Sequence, residues 1–371
     1  MRIAGICFTR SGMRLAERIS DSAEEIFGCK AEIVWACKGK NFADINFSAP
    51  GNSTGPFHCR EIKQSAAEWA GDNFNVADCL VFIGAVGIAV RSLAPYIRDK
   101  RLDPAVICLD EKGKFCISLL SGHIGGANQI TAKLADQLGS IPVITTATDI
   151  NNKFAVDVYA TEHELTISNM TYAKEVSAAL VAGENVGLYT NFPVDGKIPE
   201  GLTLISKHNH GEALLEEISS TIGIYISPSY HSAFFDHTLW LIPKCLTIGI
   251  GCKRGTSVDK IRKLVDDTLQ SLSLYPEAIS RIATIDIKKD EPGLLQFCRE
   301  RELPLETFTA EDLKTAVGDF SSSAFVSSVT GVDNVCERSA VLAGKGRLIM
   351  KKIKGDGVTC AVVLEDWRVK F

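Results

Sequence analysis

Ser121-Gly122-His123, followed by Gly125-Gly126 and Asn128, is the stretch of this chain best suited to chemistry. Small residues let a ligand approach the backbone, and an adjoining helix start offers N–H groups to an anion. His123 is the one residue of that loop that titrates near neutrality. A tight structural turn with a capping serine would use the same residues. The loop is neither a G-x-G-x-x-G fingerprint nor a Walker loop, which argues against nucleotide binding.

The flanking residues predict what holds this loop. The apolar run 115–120 reads as a buried strand. Ile130, Leu134 and Leu138 mark one face of a helix over 128–138, and a second β-rich run covers 142–148. In an open α/β sheet, such a loop lies beyond the carboxyl end of its strand, where ligands bind. A second loop of this kind, Gly84 to Gly87, follows the apolar strand 79–83, with Arg91 one turn further on. Arg98, Lys100 and Arg101 come next. Two glycine loops and these cations resemble the rim of a carboxylate-binding pocket; solvated surface charges are the plainer alternative.

The pattern recurs near the end of the chain. A strand at 246–250 runs into Gly251-Cys252-Lys253-Arg254-Gly255-Thr256-Ser257. Ser257 is placed to cap a helix over 258–272, whose apolar positions are Val258, Ile261, Leu264, Val265 and Leu269. Loop amides, the helix start and the two cations suit an anion. Thr330-Gly331 precedes a helix expected to carry Glu337 about two turns in, and 347–353 with 358–365 reads as a hairpin around Gly355-Asp356-Gly357.

The fold class is α/β: an N-terminal open parallel-sheet domain over 1–150 carrying the glycine loops, a small α/β middle domain with its linker over 151–244, and a C-terminal α/β domain with a mixed sheet over 245–371. A net charge of -5 argues against general nucleic-acid binding. No apolar run spans a membrane, and 1–12 starts like a strand rather than a signal peptide, so the cytoplasm is expected. Twelve cysteines without a Cys-x-x-Cys argue against structural zinc. Reduced thiols are expected, with Cys79, Cys108 and Cys116 acting as small hydrophobes. His208-Asn209-His210 reads as a surface loop.

Together these motifs resemble the cobalt-precorrin-5A hydrolase family of anaerobic cobalamin biosynthesis. The resemblance rests on GAVGIAVR at 84–91, DKRLDPAV at 99–106, LLSGHIGGAN at 119–128, PVITTATD at 142–149, IGIGCKRGTS at 248–257 and VTGVDNVCERSAVL at 329–342. It implies that water opens the δ-lactone of a cobalt-containing tetrapyrrole and that acetaldehyde leaves, giving cobalt-precorrin-5B. It implies no cofactor and no metal of the protein's own, because the cobalt arrives in the substrate. Transient contact with other enzymes of the pathway, and a homodimer, belong to the same expectation.

Lactone opening needs an activated water and a partner for the developing oxyanion. His123 is the first candidate for the base and Glu337 the second, as base or orienter; Asp149 would orient His123 or cap the next element. The expected substrate-binding residues are Gly84, Gly87, Arg91, Ser121, Gly122, Gly125, Gly126, Asn128, Gly251, Cys252, Lys253, Arg254, Thr330 and Gly331. A cleft between the first and last domains would seat so large an anion. A non-catalytic tetrapyrrole carrier and a sugar-phosphate isomerase are the competing classes, and the lack of a G-x-S-x-G elbow disfavours a serine hydrolase.

Overall fold

The computed structural model describes residues 1–28, 31–39, 42, 57, 59–99, 102–123, 125–147, 153–205, 221–230 and 235–371. Asp149, Lys100, Arg101 and His208-Asn209-His210 lie outside them. The chain forms two compact units, 1–158 and 159–371. Among the described residues, no helix is long and apolar enough to cross a membrane.

The first unit is built on one seven-stranded sheet. Its elements are β1 (Arg2–Cys7), α1 (Arg10–Asp21), α2 (Ala23–Phe27), β2 (Glu32–Cys37), β3 (Cys59–Glu61), α3 (Ala66–Phe74), β4 (Cys79–Ile83), α4 (Val86–Leu93), β5 (Ala105–Leu109), β6 (Phe115–Leu120), α5 (Ala127–Leu138) and β7 (Ile141–Val143). The strand order is β3-β2-β1-β4-β5-β6-β7. β4 and β5 are buried along their whole length, as a strand covered on both faces must be. Cys79, Val81 and Ile83 pack toward α1, α2 and α5, while Leu80 and Phe82 pack toward α3 and α4.

The helical stretch after β1 is broken at Ser22 into α1 and α2. α3 starts where Ser65 and Glu68 form a capping box. α5 buries Ile130 and Leu134 as its spacing predicts. The sheet is parallel, as expected of this domain, except at one pairing. β6 runs antiparallel to β5, and β7 runs parallel to β6.

The second unit holds β8 (Thr166–Ile167), β9 (Val186–Thr190), β10 (Val194–Asp195), β11 (Leu202–Ile205), β12 (Ile222–Ile226) and β13 (His237–Ile242). Their sheet has the order β11-β9-β12-β13-β8, parallel except for β8. A helix, Val156–Glu162, spans the change from the first unit to the second. Then come β14 (Leu246–Cys252), β15 (Ile279–Ile285), β16 (Leu305–Phe308), β17 (Arg347–Gly355), β18 (Val358–Leu364) and β19 (Val369–Lys370). The sheet β16-β15-β14-β18-β17 is mixed, and β17 and β18 form the expected antiparallel hairpin. β19 pairs with β10.

The cysteines follow the expectation with one exception. Burial pushes the thiols of Cys79, Cys108 and Cys116 up to about 12, which makes them inert core residues. Cys37 and Cys59, however, form a disulfide. The expectation of reduced thiols throughout is therefore corrected. The parallel pairing of β2 with β3 brings these two sulfurs together, and a spacing of 22 residues does not reveal it.

Candidate functional site

The loop after β6 is shaped by its small residues. Ser121 takes a left-handed conformation (φ 56°), and its hydroxyl donates to the Asp103 carbonyl at 3.0 Å. A Cβ on Gly125 would lie 2.5 Å from Ser121 Cβ, so no larger residue fits there without movement. Gly126 (φ 79°) turns the chain into α5. Asn128 is buried; it accepts from Ser118 Oγ at 2.6 Å and donates to Thr146 Oγ1 at 2.9 Å.

The open anion cradle expected at the start of α5 is partly closed. The Ala127 and Asn128 amides donate to the Ser121 and Gly122 carbonyls at 3.2 and 2.9 Å, and the Gly126 amide donates to the His123 carbonyl at 2.8 Å. The loop folds on its own carbonyls because buried donors must find partners. The Gly122 and Gly125 amides donate to no described group.

His123 has a partner that sequence reasoning missed. Its Nδ1 lies 3.1 and 3.3 Å from the two carboxylate oxygens of Asp157, in the first turn of the helix Val156–Glu162. The two side chains are 13% and 10% exposed, enough shelter to strengthen the pair and enough access to work on a ligand. A carboxylate at Nδ1 selects the tautomer with its proton on Nδ1 and its lone pair on Nε2. No motif marks Asp157, which stands 34 residues from His123.

The two glycine loops of this unit do not share a rim. Ile83, at the end of β4, pairs with Leu109, whereas Leu120, at the end of β6, pairs with Val106. Because β6 is reversed, Gly84, Gly87 and Arg91 belong to one end of the sheet and Ser121, Gly122, Gly125 and Gly126 to the other. The Arg91 guanidinium folds back over Gly87, 3.3 Å from where a Cβ would be. The 102–105 stretch does adjoin the His123 loop, through Ser121 and Asp103.

In the second unit, β14 runs on through Gly251 and Cys252, and Lys253 and Arg254 are exposed on the loop 253–257. The Gly255 amide is already taken, donating to Glu291 Oε1 at 2.6 Å, and Lys288 pairs with Glu291 at 3.0 Å. Burial raises the Glu291 carboxyl, but Lys288, the Gly255 amide and Arg254 together outweigh it and hold the carboxyl below its ordinary value. Burial pushes the Cys252 thiol up to about 11, against a smaller opposing pull from Lys288. Ser257 sits at the N-cap position, but its hydroxyl makes no cap hydrogen bond; Thr256 folds the loop instead, donating to the Lys253 carbonyl.

Thr330 and Gly331 end a helix rather than lead into one. Gly331 (φ 76°) terminates Ala324–Thr330, and the Thr330 hydroxyl donates to the Val326 carbonyl at 2.8 Å. The helix that follows, Cys336–Gly344, starts later than expected, so Glu337 lies in its first turn rather than two turns in. It is fully buried. Its carboxylate accepts from the Ser321 amide (2.9 Å), the Ser321 hydroxyl (2.8 Å) and the Lys352 amide (2.6 Å). Asn334, also buried, accepts from the Glu337 amide and donates to the Ser321 carbonyl.

Three family models match this chain: cobalamin synthesis G N-terminal over 68–149, cobalamin biosynthesis central region over 154–243, and cobalamin synthesis G C-terminus over 246–363. A cobalt-precorrin-5A hydrolase of Salmonella typhimurium is 37% identical over 299 residues, covering 79% of this chain and 84% of that protein. One from Priestia megaterium is 30% identical, covering 77% and 78%. A crystal structure of a cobalamin biosynthesis protein G homolog from Sulfolobus solfataricus aligns over 98% of this chain and 96% of that one, at 23% identity and a TM-score of 0.39.

Proposed function

The chain belongs to the cobalt-precorrin-5A hydrolase family, and from that premise we propose how its residues carry the reaction of cobalamin biosynthesis that the family name describes. Water opens the δ-lactone of cobalt-precorrin-5A, acetaldehyde leaves and cobalt-precorrin-5B remains. The observation that carries the assignment of roles is the His123–Asp157 pair.

His123 Nε2 takes a proton from the water that attacks the lactone carbonyl. Asp157 holds the ring and stabilises the imidazolium that forms, as a carboxylate beside a base does. The Gly122 and Gly125 amides meet the developing oxyanion. The alkoxide then leaves and recovers the proton. Deprotonating the freed hydroxyl again lets the carbon–carbon bond break, so the two-carbon fragment departs as acetaldehyde and the electron pair stays on the macrocycle. The cobalt rides in the substrate, and these steps call for no organic cofactor.

The remaining residues divide by what they touch. Lys253 and Arg254 offer exposed cations to the carboxylates of the substrate. Glu337 is assigned to positioning: with three donors on its carboxylate, it ties the Ser321 segment and β17 to its own helix. We assign the enzyme to the cytoplasm, acting on a soluble substrate.

The test is direct. Purified protein is mixed with cobalt-precorrin-5A, and acetaldehyde is read through a coupled NADH assay. Turnover above a boiled control, lost in His123→Ala, is the expected result. Stoichiometric tetrapyrrole binding without acetaldehyde would instead mark a carrier.

A further inference from the structure

Three cysteines far apart in sequence meet at the end of the first unit's sheet where β1 and β2 finish. Cys7 closes β1 and Cys37 closes β2, and the two are paired in register. Cys59 opens β3, which lies beside β2. The Cys7 and Cys37 sulfurs are 3.5 Å apart, and all three sulfurs lie within 4.8 Å of one another. Among the described residues this is the one group of three or more His, Cys, Asp or Glu side chains whose ligand atoms come so close. Cys7 and Cys37 are fully buried, and Cys59 is part-exposed.

A tetrahedral ion with metal–sulfur bonds of about 2.3 Å holds its sulfurs about 3.8 Å apart. The Cys7–Cys37 spacing of 3.5 Å is already close to that. The disulfide between Cys37 and Cys59 keeps two of the three sulfurs from serving as thiolates.

We propose that Cys7, Cys37 and Cys59 form a redox-gated site for one thiophilic divalent metal ion, closed by the Cys37–Cys59 disulfide and opened by its reduction. A dithiol reductant gives two electrons and two protons to the disulfide and leaves as its own cyclic disulfide. The ion then displaces one proton from each of the three thiols. Three thiolates and a divalent ion carry one net negative charge, and water takes the fourth position.

The site belongs to the Gly84 end of the sheet, not to the His123 end, so it is separate from the proposed catalytic pair. Sequence reading passes over it because spacings of 30 and 22 residues match no ligand motif.

The experiment uses the full chain and cadmium ion as the probe. Native mass spectrometry and ultraviolet thiolate-to-cadmium absorption are recorded on the protein as oxidised and after reduction by a phosphine. The reduced chain should gain one cadmium less the displaced protons, and the oxidised chain none. In reduced Cys7→Ser, the thiolate absorption should fall by about a third, following the ligand count. Cys59→Ser should do the same, while Cys298→Ala, at a buried cysteine elsewhere, should keep the full signal. Mass spectrometry of the unmutated chain needs no variant to fold. Failure of the reduced chain to take up cadmium overturns the proposal. So does equal uptake by the oxidised chain, or an absorption unchanged in both serine variants.

Discussion

His123 and Asp157 meet across 34 residues of chain, imidazole Nδ1 to carboxylate oxygen at 3.1 Å, each side chain largely sheltered from solvent. The contact joins a glycine-rich loop to the first turn of a helix and gives the loop's one histidine a defined tautomer. Four expected outcomes follow from this contact and from the geometry within each unit.

Replacing His123 by alanine should lower kcat about 10²- to 10⁴-fold, the range of a positioned general base. Asp157→Asn should lower kcat less, with KM within about threefold of the original enzyme. The double variant should be no slower than His123→Ala alone, because the two side chains act as one unit. Acetaldehyde release measures all three, and additive losses would separate the residues.

Gly125→Ala should destabilise the first unit by about 1–3 kcal/mol, the usual cost of overpacking. The added methyl would lie 2.5 Å from Ser121 Cβ and 2.8 Å from the Ser121 carbonyl oxygen. Denaturant unfolding gives the number. An unchanged midpoint would mean that the loop can open to admit a side chain.

Glu337→Ala should cost about 2–4 kcal/mol, because it strands buried donors on Ser321 and Lys352. Glu337→Gln should cost less and, below its unfolding temperature, turn over within about threefold of the original. A hundredfold loss of kcat in a folded Glu337→Gln would return this residue to the role of base.

Acid should loosen the loop 253–257. The Glu291 carboxyl is held below its ordinary value, so the stability it contributes is present above the unfolded carboxyl pKa of about 4.3 and is lost as pH falls through the lower folded value. Hydrogen exchange at the Gly255 amide should accelerate in that window beyond the trend of its neighbours. Glu291→Gln should remove the extra acceleration.

Much of this architecture is legible in the residues. The alternation of Leu80 and Phe82 with Cys79, Val81 and Ile83, the face of α5 and the hairpin of β17 with β18 all follow from periodicity and turn chemistry. The reversal of β6 was also legible, although the glycine loop drew the expectation toward a parallel sheet. Residues 110–114 link β5 to β6, and a parallel crossover needs a dozen or more residues. Asp110 fills the turn, its side chain accepting from the Lys112 and Phe115 amides. Asp157 was not legible, because its role exists only once the helix Val156–Glu162 is packed beside the His123 loop. Glu337 misled for a different reason: a glutamate beside a Thr-Gly turn has the chemistry of a base, and only the hydrogen bonds of Ser321 and Lys352 reveal how its oxygens are occupied.

The backward run of β6 turns the central sheet into a partition. The proposed sulfur chemistry at one margin and the proposed proton transfer at the other are kept apart by the length of a strand such as β5, about 13 Å at 3.3 Å per step. Oxidising or metallating the cysteines therefore leaves the imidazole and its carboxylate without a new direct neighbour. Either margin is open to redesign, by nature or at the bench, with the other held constant.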